Sequence, residues 1–211
     1  MVHTIVNAPD DPAKPYVGVS AGGFYRSADD GESWRALNRG VLADFLPEPY
    51  PESGQCVHRF VVHPARPEVI YQQNHCGVYR SDDGGEHWSG IGAGLPASFG
   101  FVIGVAAGDP RTVFVVPLVG TDERVFPDAV MRVWRSRDGG ESWEPRSEGL
   151  PSPVYFVVLR AAMDTDPVAP EGLHVGTSAG QLVHSADVGG RWVLFAESLA
   201  RVLSVSTAMV I

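Results

Sequence analysis

The 211-residue chain has few cysteines and no long apolar run. Its two cysteines, Cys56 and Cys76, are too few for the disulfide framework of a small secreted domain. No uninterrupted apolar stretch approaches the roughly 18 residues that a membrane-spanning helix needs. The N-terminal stretch also lacks a basic segment followed by an apolar one, which a secretory signal would contain. We therefore expect a cytoplasmic location and no membrane partner.

Positive charge is scarce as well. Lysine and arginine together number 16 against 25 acidic residues, which gives a net charge of −9. Proteins that bind duplex nucleic acid present a basic stripe to the phosphates, so we expect no nucleic-acid partner. We also expect no cofactor.

Glycine and proline, by contrast, are abundant. The chain holds 24 glycines and 17 prolines, well above the roughly 12% that these two residues contribute to an average protein. Apolar residues make up 44%, so the chain has enough apolar side chains for a folded core. This combination predicts an all-β protein with many turns between short strands.

An eight-residue pattern, Ser-x-Asp-x-Gly-x-x-Trp, occurs four times, with serines 54, 55 and 49 residues apart. Ser and Asp side chains hold tight loops by bonding nearby backbone N–H groups, and Gly supplies the positive φ that such loops need. We expect each tryptophan to be buried against a neighbouring sheet, and the boxes to be structural. The residues that define the pattern are Ser27, Asp29, Gly31, Trp34, Ser81, Asp83, Gly85, Trp88, Ser136, Asp138, Gly140, Trp143, Ser185, Asp187, Gly189 and Trp192.

Each repeat of about 50 residues is predicted to contain four antiparallel strands, A to D, with the box between C and D. Such a repeated unit is the blade of a β-propeller. We predict one propeller domain over 1–211. Its blades are expected at about 1–40, 55–95, 99–149 and 153–200, with A strands at 2–7, 57–62, 101–106 and 154–160.

The strand count favours an open or partial propeller, and a closed ring of four blades is the alternative. A further strand is expected at 202–210, so the chain contains about four blades plus one strand, with an A-type strand near each end. Exposed strand edges favour association. Two ways of covering them are expected: further blades of a larger propeller, of which this chain is the C-terminal portion, or a homodimer that pairs the open ends.

The repeated pattern resembles the Asp-box, also called the bacterial neuraminidase repeat. The whole chain is similar to bacterial exo-α-sialidase-like and glycosyl hydrolase repeat proteins, and this closer likeness is carried by the stretches 38–47 and 72–81. The resemblance implies a propeller of more than four blades and a glycoside hydrolase label that derives mainly from the repeat.

In a propeller the boxes and A–B turns lie on one face, while the D–A and B–C connections lie on the other, here called the top face. The candidate functional loops on the top face are 40–55, 74–76 and 117–130. Long insertions on one face of a repeat fold are often functional. The binding candidates are Asp44, Tyr50, Gln55, His58, Arg59, Asn74, His75 and Arg124. The candidates for acid–base or nucleophilic catalysis are Asp44, Glu52, His58, His75, Asp122 and Glu123.

Two cysteines and two histidines form a separate cluster in the sequence of the second blade. The expected pairing of its A and B strands places Cys56 opposite Cys76 and His58 opposite Asn74, to within about two residues. Packing or hydrogen bonding to a ligand explains these residues best, so no metal is expected. A metal site of Cys56, His58, His75 and Cys76, or a disulfide between the cysteines, is the alternative.

The sequence leaves two functional hypotheses. A sialidase needs three convergent arginines and a tyrosine–glutamate pair. Arg59, Arg124 and Arg160 fall near the top face, but no pattern shows that they converge. The favoured hypothesis is therefore a propeller module that binds a partner, a carbohydrate or another small ligand through its top-face loops. The alternative is a glycoside hydrolase that uses the acidic loop residues.

Overall fold

The computed structural model describes residues 1–120, 122–168 and 170–209 and contains four antiparallel sheets of four strands each. In every sheet the strands follow one another in chain order. This confirms the predicted all-β propeller with four-stranded blades. The described residues include no helix long and apolar enough to cross a membrane. A single 3-10 turn is found among them, at Pro127–Ala129.

The four blades are defined by the following strands. Blade 1 contains β1 (Val2–Ala8), β2 (Asp11–Val19), β3 (Gly23–Arg26) and β4 (Arg35–Ala36). Blade 2 contains β5 (Val57–His63), β6 (Arg66–Asn74), β7 (Gly77–Ser81) and β8 (Ser89–Gly90). Blade 3 contains β9 (Gly100–Val105), β10 (Val113–Pro117), β11 (Val133–Ser136) and β12 (Glu144–Arg146). Blade 4 contains β13 (Met163–Thr165), β14 (Leu173–Gly176), β15 (Leu182–Ser185) and β16 (Val193–Ala196).

The four boxes share one hydrogen-bonding scheme. In the third box the Ser136 hydroxyl donates to Asp138 Oδ1 at 2.7 Å and accepts from the Gly140 N–H at 2.8 Å. The same carboxylate oxygen accepts the Ser142 N–H at 2.9 Å. The equivalent three bonds form in the other boxes, including the degenerate fourth. The boxes are therefore structural turns.

The tryptophans of the second, third and fourth boxes join their blades to the blade before. The expectation that each box tryptophan is buried is wrong for Trp34, which is 44% exposed. Trp88 is 5% exposed, and its backbone N–H donates to the Arg39 carbonyl at 2.9 Å. A Cβ on Gly40 would overlap the Trp88 carbonyl oxygen, so only glycine allows this approach. Trp192 meets blade 3 in the same way, through Glu148 and Gly149.

The array of blades is open at both ends. One face of blade 1, including Gly18 and Phe24, packs on Val57 and Phe60 of blade 2. On the opposite face Ile5, which pairs with Val17, is 68% exposed. The described residues show no hydrogen bond between blade 1 and blade 4. This agrees with the predicted open or partial propeller.

Blade 4 departs from the sequence prediction at its inner strand. The strand expected at 154–160 is wrong: this segment forms no ladder, and the inner strand is β13, Met163–Thr165. Val154 and Val158 are buried in the core between blades 3 and 4, so their apolar pattern reflects packing rather than pairing. The backbone of the segment is held by isolated bonds instead, such as Val157 N–H to Ser178 Oγ at 3.0 Å.

The terminal strand expected at 202–210 is also not formed over its described part, 202–209; residue 210 lies outside the described residues. Ser204 makes one parallel bridge with Ala161. The segment lies along the inner end of blade 4, where the Thr207 N–H donates to Asp164 Oδ2 at 2.7 Å. Side-chain and isolated backbone bonds thus replace a continuous ladder.

A β-bulge changes the expected pairing in blade 2. Val57 pairs with Asn74 and Arg59 with Gln73, which leaves His58 as the extra residue. The Cys56 carbonyl accepts the His75 N–H at 2.9 Å, so Cys56 lies opposite His75 rather than Cys76. Both cysteines are free thiols. A bulge of this kind redirects a side chain, here that of His58.

Candidate functional site

The inner strands bring several polar and aromatic side chains to one end of the central channel. β1, β5, β9 and β13 contact one another in succession and so line the propeller axis. They begin at the face opposite the boxes, where β6 also ends and β7 begins. We call this end of the channel the mouth. The residues grouped there, here called the mouth cluster, are His3, Ser20, Cys56, His58, His75, Phe99, Phe101 and Arg160.

Blades 1 and 2 meet in this cluster through a short hydrogen-bonded chain. The Cys56 thiol donates to Ser20 Oγ at 3.4 Å, and Ser20 Oγ lies 2.5 Å from His3 Nε2. Burial, followed by the nearby charge of Arg160, lowers the pKa of His3. His3 and His58 occupy the same position of their inner strands, so the repeat itself brings them to the mouth.

His58 lies at the junction of blades 2 and 3 and is 2% exposed. Its Nδ1 is 2.6 Å from the Gly100 carbonyl oxygen. A carbonyl can only accept, so Nδ1 carries the proton and Nε2 presents its lone pair. Burial lowers the pKa of His58 to about 3, and the charge of Arg160 acts in the same direction. The ring is therefore a fixed neutral tautomer near pH 7.

Aromatic rings surround the two histidines. The His58 and His75 rings meet edge to face with centroids 5.7 Å apart. Phe99 contacts both of them, at 5.1 Å from His58 and 5.3 Å from His75. Phe101 lies 5.2 Å from His58. The mouth therefore has an apolar, aromatic wall beside its polar groups.

Arg160 of blade 4 covers this wall. Its guanidinium carbon is 4.5 Å from the centre of the Phe101 ring, a cation–π contact. Its Nε is buried and has no hydrogen-bond partner among the described residues. Burial lowers the pKa of Arg160, while the proximity of Cys56 opposes this. The guanidinium carbon of Arg124, from the long loop of blade 3, lies 5.5 Å from the centre of the same ring. All four blades thus contribute to the mouth.

Further along the inner strands of blades 2, 3 and 4 from the mouth lies a cavity of about 290 Å³. Arg59 and Asp164 line it from opposite blades. Burial lowers the pKa of Arg59, and the negative charge of Asp164 partly offsets this. The Nε of Arg59 has no hydrogen-bond partner within the described chain. Arg59, the residue after His58 in β5, therefore lies in the channel and not at its mouth.

The acidic candidates are dispersed. Asp44 is exposed and accepts a hydrogen bond from the Cys76 thiol at 3.0 Å, at the edge of the mouth. Glu52 and Tyr50 line a surface pocket beside β4, together with Arg35 and Glu86, outside the channel. Asp122 and Glu123 are exposed on the blade 3 loop. No hydrogen bond between any two of these carboxylates occurs in the described parts of the chain.

The remaining binding candidates are buried amides. Gln55 and Asn74 are both 0% exposed. Gln55 Nε2 donates to the Pro51 carbonyl at 2.7 Å, and Asn74 Oδ1 accepts the Cys76 N–H at 3.4 Å. The other polar atom of each amide is buried without a partner in the described structure. Gln55 and Asn74 thus stabilise the top-face turns through these side-chain hydrogen bonds.

Sequence reasoning did not find Ser20, Phe99 and Phe101. Phe101 occupies the bulged start of β9, the position that His3 and His58 occupy in β1 and β5. Extending the strand A alignment to the third repeat would have identified it. Ser20 closes β2 and carries no such signal, because its role depends on contacts with His3 and Cys56 from other strands.

Comparison with known proteins supports the repeat and the fold. The family model described as BNR/Asp-box repeat matches residues 134–145, the third box. No curated protein sequence matches the chain significantly. An ancestral GH74 enzyme aligns with a TM-score of 0.67 at 19% identity, over 93% of this chain and 24% of that one.

Two further solved structures are similar. The GH74 xyloglucanase from Xanthomonas campestris gives a TM-score of 0.64 at 18% identity, over 91% of this chain and 29% of that one. YCF48 from Cyanidioschyzon merolae gives 0.61 at 16% identity, over 95% and 57% respectively. This chain therefore spans about a quarter of the GH74 structures and somewhat more than half of YCF48. At these identities the likeness shows the fold alone.

Proposed function

We propose that this Asp-box propeller module binds a small carboxylate-bearing ligand of the acidic-sugar class at the channel mouth, without hydrolysing it. The observation that carries the proposal is the placement of Arg160. Its guanidinium lies on Phe101, is partly buried, and forms no ion pair with a carboxylate in the described chain. A desolvated guanidinium held on an aromatic face favours a planar carboxylate over a neutral group.

The groups around Arg160 suit a sugar. Phe99 and Phe101 form a buried apolar wall behind the polar groups of the mouth, and His75 is partly exposed beside them. Ligand sites typically combine such a wall with a few oriented polar groups. His58 is fixed as a neutral tautomer whose Nε2 can accept a hydroxyl proton in a hydrogen bond.

The arrangement of acidic residues favours binding over hydrolysis. A glycoside hydrolase needs two carboxyl groups about 5 to 9.5 Å apart on either side of the scissile bond. Glu52 lies beside β4, Asp122 and Glu123 lie on an exposed loop, and Asp44 bonds Cys76. None of them contacts Arg160 or His58 in the described structure.

Calorimetric titration with matched sugars tests this proposal. Glucuronic acid and glucose differ at the carboxylate, so binding of the first and not the second is expected. Product analysis with acidic and neutral oligosaccharides, including xyloglucan fragments, should show no cleavage. Equal affinity for both sugars would contradict carboxylate recognition, and cleavage abolished by Asp44→Asn would establish the hydrolase alternative.

We further propose that additional propeller blades cover the exposed end faces. On blade 1 the row Ile5, Val17 and Tyr25 borders an apolar surface with Trp34, which is 44% exposed. On blade 4 Phe195 is 73% exposed. In the central blades the corresponding faces are buried against a neighbour, so a blade is the shape that fits these surfaces. When no further blade covers these surfaces, the isolated chain is expected to self-associate through them.

A further inference from the structure

The mouth cluster also contains a set of metal-ligating atoms, two of which belong to histidines of the proposed sugar site. The Cys56 sulfur and one ring nitrogen each of His58 and His75 all lie within 4.8 Å of one another. Cys56 and His58 flank the start of β5, and His75 follows the end of β6. The backbone bond between His75 and Cys56 holds these two segments together.

We propose that Cys56, His58 and His75 bind one zinc ion at the channel mouth. Thiolate and imidazole are the ligands that zinc prefers, and three protein ligands leave a fourth tetrahedral position for water or an anion. The zinc proposal shares His58 and His75 with the proposed sugar site but is tested separately, because the ion is expected to bind when no sugar is present.

His58 is already oriented as a ligand. Metal-bound histidines usually donate their second ring N–H to a carbonyl or carboxylate, which fixes the tautomer and the ring plane. The Gly100 carbonyl receives Nδ1–H of His58 at 2.6 Å. Nε2 is therefore the lone-pair nitrogen, and it forms no hydrogen bond to the described residues. The contacts of the ring with Phe99 and Phe101 hold this orientation.

The other two ligands have room to close on the ion. Zinc distances of about 2.0–2.1 Å to nitrogen and 2.3 Å to sulfur require ligand atoms roughly 3.3–3.8 Å apart in a tetrahedron. Cys56 and His75 are only partly buried. Zinc binding requires the ligand atoms of these two residues to move by about 1 Å to reach that range, while His58 stays in place.

Binding converts the Cys56 thiol to a thiolate and releases one proton. The sulfur–hydrogen bond breaks, the sulfur electron pair coordinates zinc, and the proton passes to solvent. The thiol already donates to Ser20 Oγ, which lies against His3 Nε2, so a hydrogen-bonded route leads the proton away from the sulfur. Arg160 lies close to Cys56, where its charge opposes the cation and favours an anion in the fourth position.

A second histidine pair provides an internal control. His174 and His184 stack with ring centroids 4.7 Å apart on blade 4. Nε2 of His174 is 2.9 Å from Asp166 Oδ2, and no cysteine of the described chain accompanies this pair. A metal ion bound by His174 and His184 would lack a sulfur ligand. The thiolate charge-transfer band of bound Co²⁺ therefore distinguishes the Cys56 site from this histidine pair.

The test uses Co²⁺ as a spectroscopic probe and Zn²⁺ as the competing ion, on the whole chain. Co²⁺ should give thiolate-to-metal charge-transfer absorption at one equivalent, and Zn²⁺ should abolish it by displacement. Cys56→Ser should remove this band and weaken Zn²⁺ binding at least about 100-fold. Loss of a residue that only holds a ligand in place already weakens metal sites about 10- to 100-fold. The matched control Cys76→Ser should retain both.

His75→Asn provides a second variant at a partly exposed position, and circular dichroism checks that each variant is folded. Loss of Zn²⁺ affinity in folded His75→Asn, with Cys76→Ser unaffected, supports the site. A Co²⁺ spectrum without sulfur character, or unchanged Zn²⁺ affinity in Cys56→Ser, would overturn it. So would a band that disappears in Cys76→Ser instead, which would indicate a different thiol ligand.

Discussion

The Trp88 indole donates a 2.8 Å hydrogen bond from Nε1 to the carbonyl oxygen of Leu37 and so joins the second box to the first blade. Trp143 makes the equivalent 2.8 Å bond to Ile91 of blade 2. Trp34 has no blade before it in this structure, and its indole bonds Gly31 of its own box at 3.1 Å. The same residue of the repeat is thus an inter-blade contact at one position and an exposed side chain at another.

This difference predicts unequal effects of two identical substitutions. Trp88→Ala should lower the free energy of unfolding by about 3–5 kcal/mol, because it removes a buried aromatic side chain between two blades. Trp34→Ala should lower it by less than about 1 kcal/mol, because that ring is 44% exposed. Urea denaturation of both variants measures the difference. Equal losses would show that the first box is buried in the protein in solution.

The third box predicts a specific acid sensitivity. Hydrogen bonds from Ser142 and then Ser136 hold the pKa of Asp138 well below its ordinary value of 3.8. A carboxyl with a depressed folded pKa stabilises the fold above the unfolded pKa, and this contribution is lost as the pH falls through the folded value. The wild type should therefore lose stability progressively below about pH 4 from this group.

Asp138→Asn tests this acid sensitivity. The variant should be less stable than the wild type at pH 7, and the difference should shrink as the pH falls below 4. Glu141→Gln in the same box is the control, since Glu141 is exposed and its ion pair with Arg111 is long, at 3.9 Å. Unfolding free energies measured between pH 7 and pH 2 give the comparison. A constant difference across this range would rule out a contribution from the Asp138 charge.

Because one face of blade 1 is apolar and exposed, we predict that a charge placed there reduces self-association of the isolated chain. Ile5→Lys should reduce the weight-average mass of the isolated chain in light scattering, because it places a charge in the apolar end face. Its free energy of unfolding should change by less than about 0.5 kcal/mol, as for other exposed positions. Phe24→Lys, on the opposite and fully buried face, should prevent folding. A wild type that is monomeric at all concentrations would contradict the association.

Local features were predictable from the sequence, and long-range placements were not. The box bonds link residues at most four positions apart, so Ser136 and Asp138 reveal their role in any one repeat. The segment 154–160 has the apolar pattern of a strand, yet its apolar residues fill the space between two blades. Nothing within that segment indicates that its backbone would form isolated hydrogen bonds, such as the bond from Val157 to Ser178, in place of a strand ladder.

At the mouth, too, local features were predictable from the sequence and long-range placements were not. The repeat placed His58 and His75 near one another, and the bulge that aims His58 was not visible because it depends on how β5 pairs with β6. Glu52 and Asp122 were equal candidates in the sequence, but the chain leads one to the side of β4 and the other to an exposed loop. The contact of Arg160 with Phe101 joins blades 3 and 4 across 59 residues of sequence.

The central claim is that Arg160 recognises a carboxylate at the channel mouth, and calorimetry with glucuronic acid tests it most directly. Arg160→Ala should weaken binding by about 10- to 100-fold, the range expected for loss of a charged hydrogen bond of roughly 1.5–3 kcal/mol. Arg201→Ala, which removes an exposed arginine, should leave the affinity unchanged. An affinity that Arg160→Ala does not alter, in a variant that remains folded, would contradict the account.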